Sequence, residues 1–162
     1  MISIRKACIE DCSSIATVHM AAVRAIGPGH YSTQELEAWQ RPRKAEHYEQ
    51  AIETKEFLVA TEGELIVAFG VLNQETREIE ALYTSPEVRG TGVGLNLLQE
   101  IERRARDMGL DTLHLNASLN AVGFYQKAGY VAQPQSTYRL ANGFEIRCVP
   151  MSKLMNLTKL ES

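Results

Sequence analysis

Ile2 and Ile4 alternate with polar residues, which predicts a short opening strand. From Asp11 to Ile26 the period lengthens. Ile15, Val18, His19, Ala22 and Ile26 recur at helical spacing, and Asp11 is placed to cap the start. Gly27-Pro28-Gly29 ends that helix. Ser32 or Thr33 can cap a short helix through Leu36 and Trp39. Either Glu35 or Leu36 then stands three residues on, so the pattern leaves a capping box open. Arg43 to Thr54 reads as a polar, amphipathic helix. The period then shortens. Phe57-Leu58-Val59-Ala60, the turn Glu62-Gly63-Glu64 and Leu65 to Leu72 predict a hairpin, and Glu78 to Thr84 a third strand ended by Pro86. Gly92 to Met108 carries the strongest helical stripe, on Leu95, Leu98, Ile101, Ala105 and Met108. Glu102, Arg103 and Arg106 are expected to face outward, and Gly109 to stop the helix. A strand over Asp111 to Asn116 and a short helix over Asn120 to Ala128 follow. Two final strands, Tyr130 to Leu140 and Phe144 to Leu154, flank the Asn142-Gly143 turn.

This order predicts an α/β (α+β) fold with a mixed sheet. The strand–helix–strand around 92–108 should be a right-handed crossover between parallel strands. One domain is expected over residues 1–155, with a polar, loose tail at 156–162.

The chain has 162 residues, 44% of them hydrophobic and 23% charged, as in an ordinary globular domain. A net charge of -3 provides no basic surplus for a nucleic-acid backbone, so no nucleic-acid partner is expected. The three cysteines, Cys8, Cys12 and Cys148, form neither a disulfide framework nor a zinc-ligand pattern, so no metal is expected. The first residues lack a secretory apolar region and no apolar run is long enough to span a bilayer. A cytoplasmic protein with no membrane partner is the expectation. His114 and His19 read as packing residues, and Arg103-Arg104-x-Arg106 as a solvated helix face.

Arg89-Gly90-Thr91-Gly92-Val93-Gly94 joins a strand to the long helix. Such a turn brings main-chain N–H groups and the positive end of a helix dipole close to a ligand, a setting suited to a diphosphate. The Lys-Ser/Thr of a P-loop is missing, and the spacing is not that of the dinucleotide fingerprint.

Leu82-Tyr83-Thr84-Ser85-Pro86, then Arg89-x-x-Gly92-x-Gly94, then the apolar helix, resembles the acetyl-CoA motif of the GNAT superfamily of N-acetyltransferases. Asn120-Ala121-Val122-Gly123-Phe124-Tyr125-Gln126-Lys127-Ala128-Gly129-Tyr130 is similar to that family's second cofactor motif, and Asn142-Gly143 through Met151 to its final hairpin. The resemblance implies a mostly antiparallel sheet splayed between the fourth and fifth strands, flanked by helices, and acetyl-CoA as co-substrate. It places Leu82, Tyr83, Thr84, Arg89, Gly90, Thr91, Gly92, Val93, Gly94 and Leu95 at the cofactor, together with Asn120. Many members carry Asn where this chain has Ser118. It assigns Tyr125 to the leaving sulfur and a general base to Glu78, with Glu80 two residues on. A period of two would put both carboxylates on one face with Leu82. It further implies that the segment after the first helix, with His30, Tyr31, Trp39 and Tyr48, shapes the acceptor pocket. The implied reaction is acetyl transfer to a primary amine of a small molecule, peptide or protein by direct attack in a ternary complex. No cysteine lies in either motif, which speaks against an acyl-cysteine route. A homodimer is common in the family. The alternatives are an acyl-CoA-binding or sensing module on the same fold, and a nucleotide-phosphate binder of another class.

Overall fold

The computed structural model describes residues 1–156; apart from Asn156, the expected tail lies outside the described residues. Strand β1 (Ile2–Lys6) leads into helix α1 (Cys12–Arg24), and α2 (Thr33–Trp39) and α3 (Glu49–Thr54) follow. Strands β2 (Glu56–Glu62), β3 (Leu65–Asn73) and β4 (Glu78–Thr84) precede α4 (Val93–Asp107). The chain continues through β5 (Thr112–Ala117), α5 (Val122–Lys127), β6 (Val131–Ala132), β7 (Ser136–Arg139) and β8 (Glu145–Leu154). The strands form one sheet in the order β1-β2-β3-β4-β5-β8-β6, with β7 also on β8. All pairs are antiparallel except β4–β5, the parallel pair predicted around the long helix.

The sheet is covered on both faces. Leu97, Leu98, Ile101 and Ala105 of α4 pack with Leu58, Ala68, Leu72 and Leu113. On the other face, Ile15 and Val18 of α1 pack with Phe57, Val59 and Phe69. A third cluster joins Val23, Tyr31 and Trp39 to Leu140 and Ile146.

Several local expectations are corrected. Asp11 does not cap α1. Its carboxylate instead accepts from the Cys8 N–H (2.9 Å) and from both guanidinium ends of Arg5 (2.7 and 3.0 Å). The open capping box is resolved on Ser32 and Glu35, whose backbone and side chains exchange bonds of 2.9 and 3.1 Å. The helix expected from Arg43 is only a 3-10 turn at Ala45–Tyr48 followed by α3. The strand expected from Tyr130 to Leu140 is broken into β6 and β7, which share one edge of β8. On α4, Leu95 and Met108 are exposed and Glu102 is buried. Glu102 sits on the flank of the core face, one turn after Leu98. There it accepts from the Tyr130 hydroxyl (2.8 Å) and from Lys153 Nζ (3.2 Å). Arg104 also leaves the solvated face, to pair with Glu56 of β2 at 2.6 Å.

Candidate active site

The parallel β4–β5 pair is short. Glu78 pairs with His114 and Ile79 with Leu115, and the two strands then separate. Past Ile79, the β5-facing edge of β4 has no strand partner, so its backbone polar groups are available to a ligand. The β3–β4 register also slips here. Val71 faces Ala81 and Leu72 faces Ile79, which makes Glu80 the extra residue of a bulge. The bulge resets the alternation: Ile79 and Leu82 both pack on the α4 face, whereas Ala81 and Tyr83 pack on the α1 face. Leu82 therefore does not follow Glu78 and Glu80 on one face, as a strict period of two required.

A cavity of about 590 Å³ opens at this split. Glu78, Glu80, Leu82, Tyr83 and Tyr125 line it, and Tyr31 and Trp39 enter from the α2 side. Ser118, at the position where the family pattern has Asn, reaches the cavity, and Asn120 is exposed outside it. His30 also lies outside. Its carbonyl accepts from Arg147 Nη2 at 2.9 Å, so it shapes the pocket only through its backbone.

Burial and a like charge distinguish the two carboxylates. Desolvation first, and Glu80 second, raise the Glu78 pKa above the ordinary carboxylate value; His114 and Lys55 oppose this. Glu80 is committed to an ion pair with Lys55 (2.5 Å) and a hydrogen bond from Asn73 Nδ2 (3.1 Å). Tyr125 is buried on α5, and no described residue hydrogen-bonds its hydroxyl. Desolvation raises the phenol's pKa, which keeps it protonated throughout the neutral range.

The glycine turn lies beside the cavity, outside its lining. Gly90 and Gly92 have φ of +81° and +90°, in the left-handed region where a side chain is strained. Gly92 is the N-cap of α4 and bonds through its carbonyl to the Asn96 N–H (3.0 Å). The N–H groups of the first helical turn at Val93, Gly94 and Leu95 have no acceptor within the helix. A Cβ at Gly94 would stand 3.4 Å from the Thr84 side chain and 3.7 Å from Phe124, so the turn, β4 and α5 meet at one point.

The sequence family described as "Acetyltransferase (GNAT) domain" matches residues 29–155. The chain belongs to the GNAT acetyltransferase family. It is similar to the crystal structure of a GCN5-related N-acetyltransferase from Rhodopseudomonas palustris, with a TM-score of 0.86 and 28% identity over 94% of each chain. The PaiA N-acetyltransferase of Thermoplasma acidophilum, solved with coenzyme A, has a TM-score of 0.75 and 25% identity, covering 95% of this chain and 99% of the other. Among curated relatives, the amino-acid acetyltransferase of Pseudomonas paraeruginosa is 35% identical over 92 residues, which are 54% of this chain and 21% of that protein. The chain thus spans about a fifth of the length of the curated relatives it matches. The mixed sheet with its β4–β5 split is the family's fold.

Sequence reasoning missed several residues at this GNAT cavity. Arg43, Lys55, Tyr138 and Arg147 all line it, beside the expected Tyr48. His19 was read as packing only, yet it too borders the cavity. Its Nδ1 lies 2.8 Å from the Tyr48 hydroxyl, and its buried Nε2 has no partner among the described residues. Desolvation, reinforced by Arg43, lowers its pKa to about 3. The available signal was an apolar-face His and a Tyr on a strand, which mark packing as readily as a site. Cys148 also lines the cavity, although neither cofactor motif contains a cysteine. Burial pushes its thiol up, away from the reactive thiolate. No described helix is long and apolar enough to cross a membrane, and no group of three or more potential metal-ligating side chains occurs among the described residues.

Proposed function

We propose that this GNAT chain transfers an acetyl group from acetyl-CoA to a primary amine by direct attack in a ternary complex. The observation that carries this reading is the shared cavity at the β4–β5 split. A carboxylate with a raised pKa, Glu78, enters it from β4, and a hydroxyl without a protein partner, Tyr125, enters from α5.

The residues present fit the co-substrate. The left-handed Gly90 and Gly92 and the unpaired N–H groups opening α4 would hold the pyrophosphate. The unpaired edge of β4 at Leu82–Thr84 would pair with the pantetheine amides as an added strand. Bound there, acetyl-CoA supplies an activated acyl thioester. Glu78 takes the proton from the acceptor ammonium, since a primary amine is largely protonated at neutral pH, a lysine-type amine having an ordinary pKa near 10.4. A carboxylate raised toward neutrality is better matched to that task than one locked to Lys55, which sets Glu78 ahead of Glu80. Tyr125 donates its hydroxyl proton in a hydrogen bond to the leaving sulfur. Cys148, held as a thiol, is poorly suited to a covalent acyl step.

The direct test is release of free thiol from acetyl-CoA with a panel of primary amines. Tyr125→Phe should lower kcat by about 100-fold while the KM for acetyl-CoA changes little. Coenzyme A binding without thiol release for any amine would favour the acyl-CoA-sensing reading instead.

A further inference from the structure

The cavity's charges are almost all matched by the protein itself. Lys55 is paired with Glu80 at 2.5 Å, and Arg147 with Glu35 at 2.8 Å. Arg43 is different. Its side chain lines the cavity, its Nε is buried without a hydrogen-bond partner, and no described carboxylate lies within ion-pair distance. The rest of the half-buried guanidinium is left free to take an anion, and the buried, unbonded Nε is costly without one. Its influence falls on His19, Tyr48, Tyr83 and Tyr138, which places its charge on the α1 side of the cavity. The cavity's unmatched negative group is Glu78, whose charged neighbours are Glu80, His114 and Lys55. One cavity therefore carries an unmatched cation and an unmatched anion, and both act on Tyr138. The glycine turn that suits the pyrophosphate lies outside the lining that includes Arg43.

We infer that the amine acceptor is a free amino acid or a close analogue, whose carboxylate is bound by Arg43 while its ammonium faces Glu78. The guanidinium fork matches a carboxylate with two parallel N–H donors, which makes Arg43 a specificity-determining residue. Aromatic walls at Tyr31, Trp39, Tyr48 and Tyr138 favour an acceptor with an apolar or aromatic side chain. The identity of the acylated amine rests on the acetyl-transfer reading; the carboxylate site does not.

Each protein amino acid with a primary amine is compared with its own carboxamide as acceptor, with kcat/KM expressed on the free-amine concentration. The preferred acid should exceed its carboxamide by about 10- to 100-fold, the range for a hydrogen bond to a charged group. Arg43→Gln should collapse that ratio toward unity, and Arg43→Lys, which keeps the charge without the fork, should retain part of it. Circular dichroism and Tm establish that each variant is folded. Calorimetric binding of the same acid and carboxamide to the full chain gives a readout independent of turnover. Equal use of acids and carboxamides by the parent protein, or an unchanged ratio in Arg43→Gln, overturns the inference and leaves acetyl transfer standing. Arg43-dependent binding of the acid without any thiol release overturns acetyl transfer and leaves the carboxylate site standing. Neither binding nor turnover overturns both.

Discussion

At the scale of single residues, the site separates two carboxylates that the chain places only two positions apart. Glu80 has its charge answered by Lys55 and Asn73, whereas Glu78 is half-buried with Glu80 beside it. A base must be ionised to work, so activity should fall as pH drops through the raised Glu78 pKa. Above that value the limb should be flat until other groups titrate. Glu78→Gln should remove this acidic limb, lower kcat/KM at neutral pH by about 100-fold, and recover partly at high pH, where the acceptor amine deprotonates unaided. A pH profile of kcat/KM for parent and variant checks this, and an unmoved limb assigns the base elsewhere. The candidacy of Glu78 came from a motif resemblance. What distinguishes it from Glu80 is Lys55, 25 residues away in the chain, and no local pattern announces that pairing.

At the scale of elements, the split between β4 and β5 depends on how α4, α5 and β8 are fastened behind it. Glu102 of α4 is the fastening. It accepts from the Tyr130 hydroxyl just after α5 and from Lys153 of β8, and Lys153 also donates to the Ala128 carbonyl at the end of α5 (2.8 Å). The backbone N–H of Tyr130 donates to the Tyr125 carbonyl at 3.0 Å, so the fastening reaches the proposed thiol-facing residue. Glu102→Ala would leave a buried hydroxyl and a largely buried ammonium without their carboxylate. It should cost about 3–5 kcal/mol of stability, read as a lower urea midpoint. Glu102→Gln, which keeps an acceptor for Tyr130, should cost less. This element was only partly legible. The period of α4 was plain and its stripe held at Leu98, Ile101 and Ala105, but it ran out to the exposed Leu95 and Met108 and passed over the buried Leu97. A charged side chain on the flank was then assigned to water because charge alone suggested it. The bulge at Glu80 was equally hidden, since one extra residue changes the phase of a strand without changing its composition.

At the scale of the whole molecule, the order of elements along the chain and the parallel pair were legible because hydrophobic period and glycine turns are local signals. The cavity was legible only in part, because Arg43, His19 and Cys148 converge on it from elements far apart in sequence. The same convergence gives the protein a two-part response to acid. His19 is buried neutral, with its pKa lowered from 6.5 to about 3. Between those values the unfolded chain binds a proton there that the folded chain does not, so stability falls as pH drops from about 6.5. The limiting slope for one such proton is about 1.4 kcal/mol per pH unit. Asp11, Glu35 and Glu100 have the opposite perturbation. Hydrogen bonds from Arg5, from Arg147 and from Arg103 hold their respective pKa values at about 2. Their contribution is complete above the ordinary carboxylate range and is lost as pH falls from about 4.5 toward 2. Glu78, with a raised pKa, works against the His19 slope just above pH 4.5, so each variant is compared with its parent rather than read alone. His19→Gln should flatten the decline in urea midpoint between pH 6.5 and 4.5 and leave the steeper loss below it. Glu35→Gln should lower stability at pH 7 and reduce only the loss below pH 4.5. A decline above pH 4.5 that survives in His19→Gln would mean that His19 is protonated in the folded protein, and the neutral imidazole beside Tyr48 would have to be abandoned.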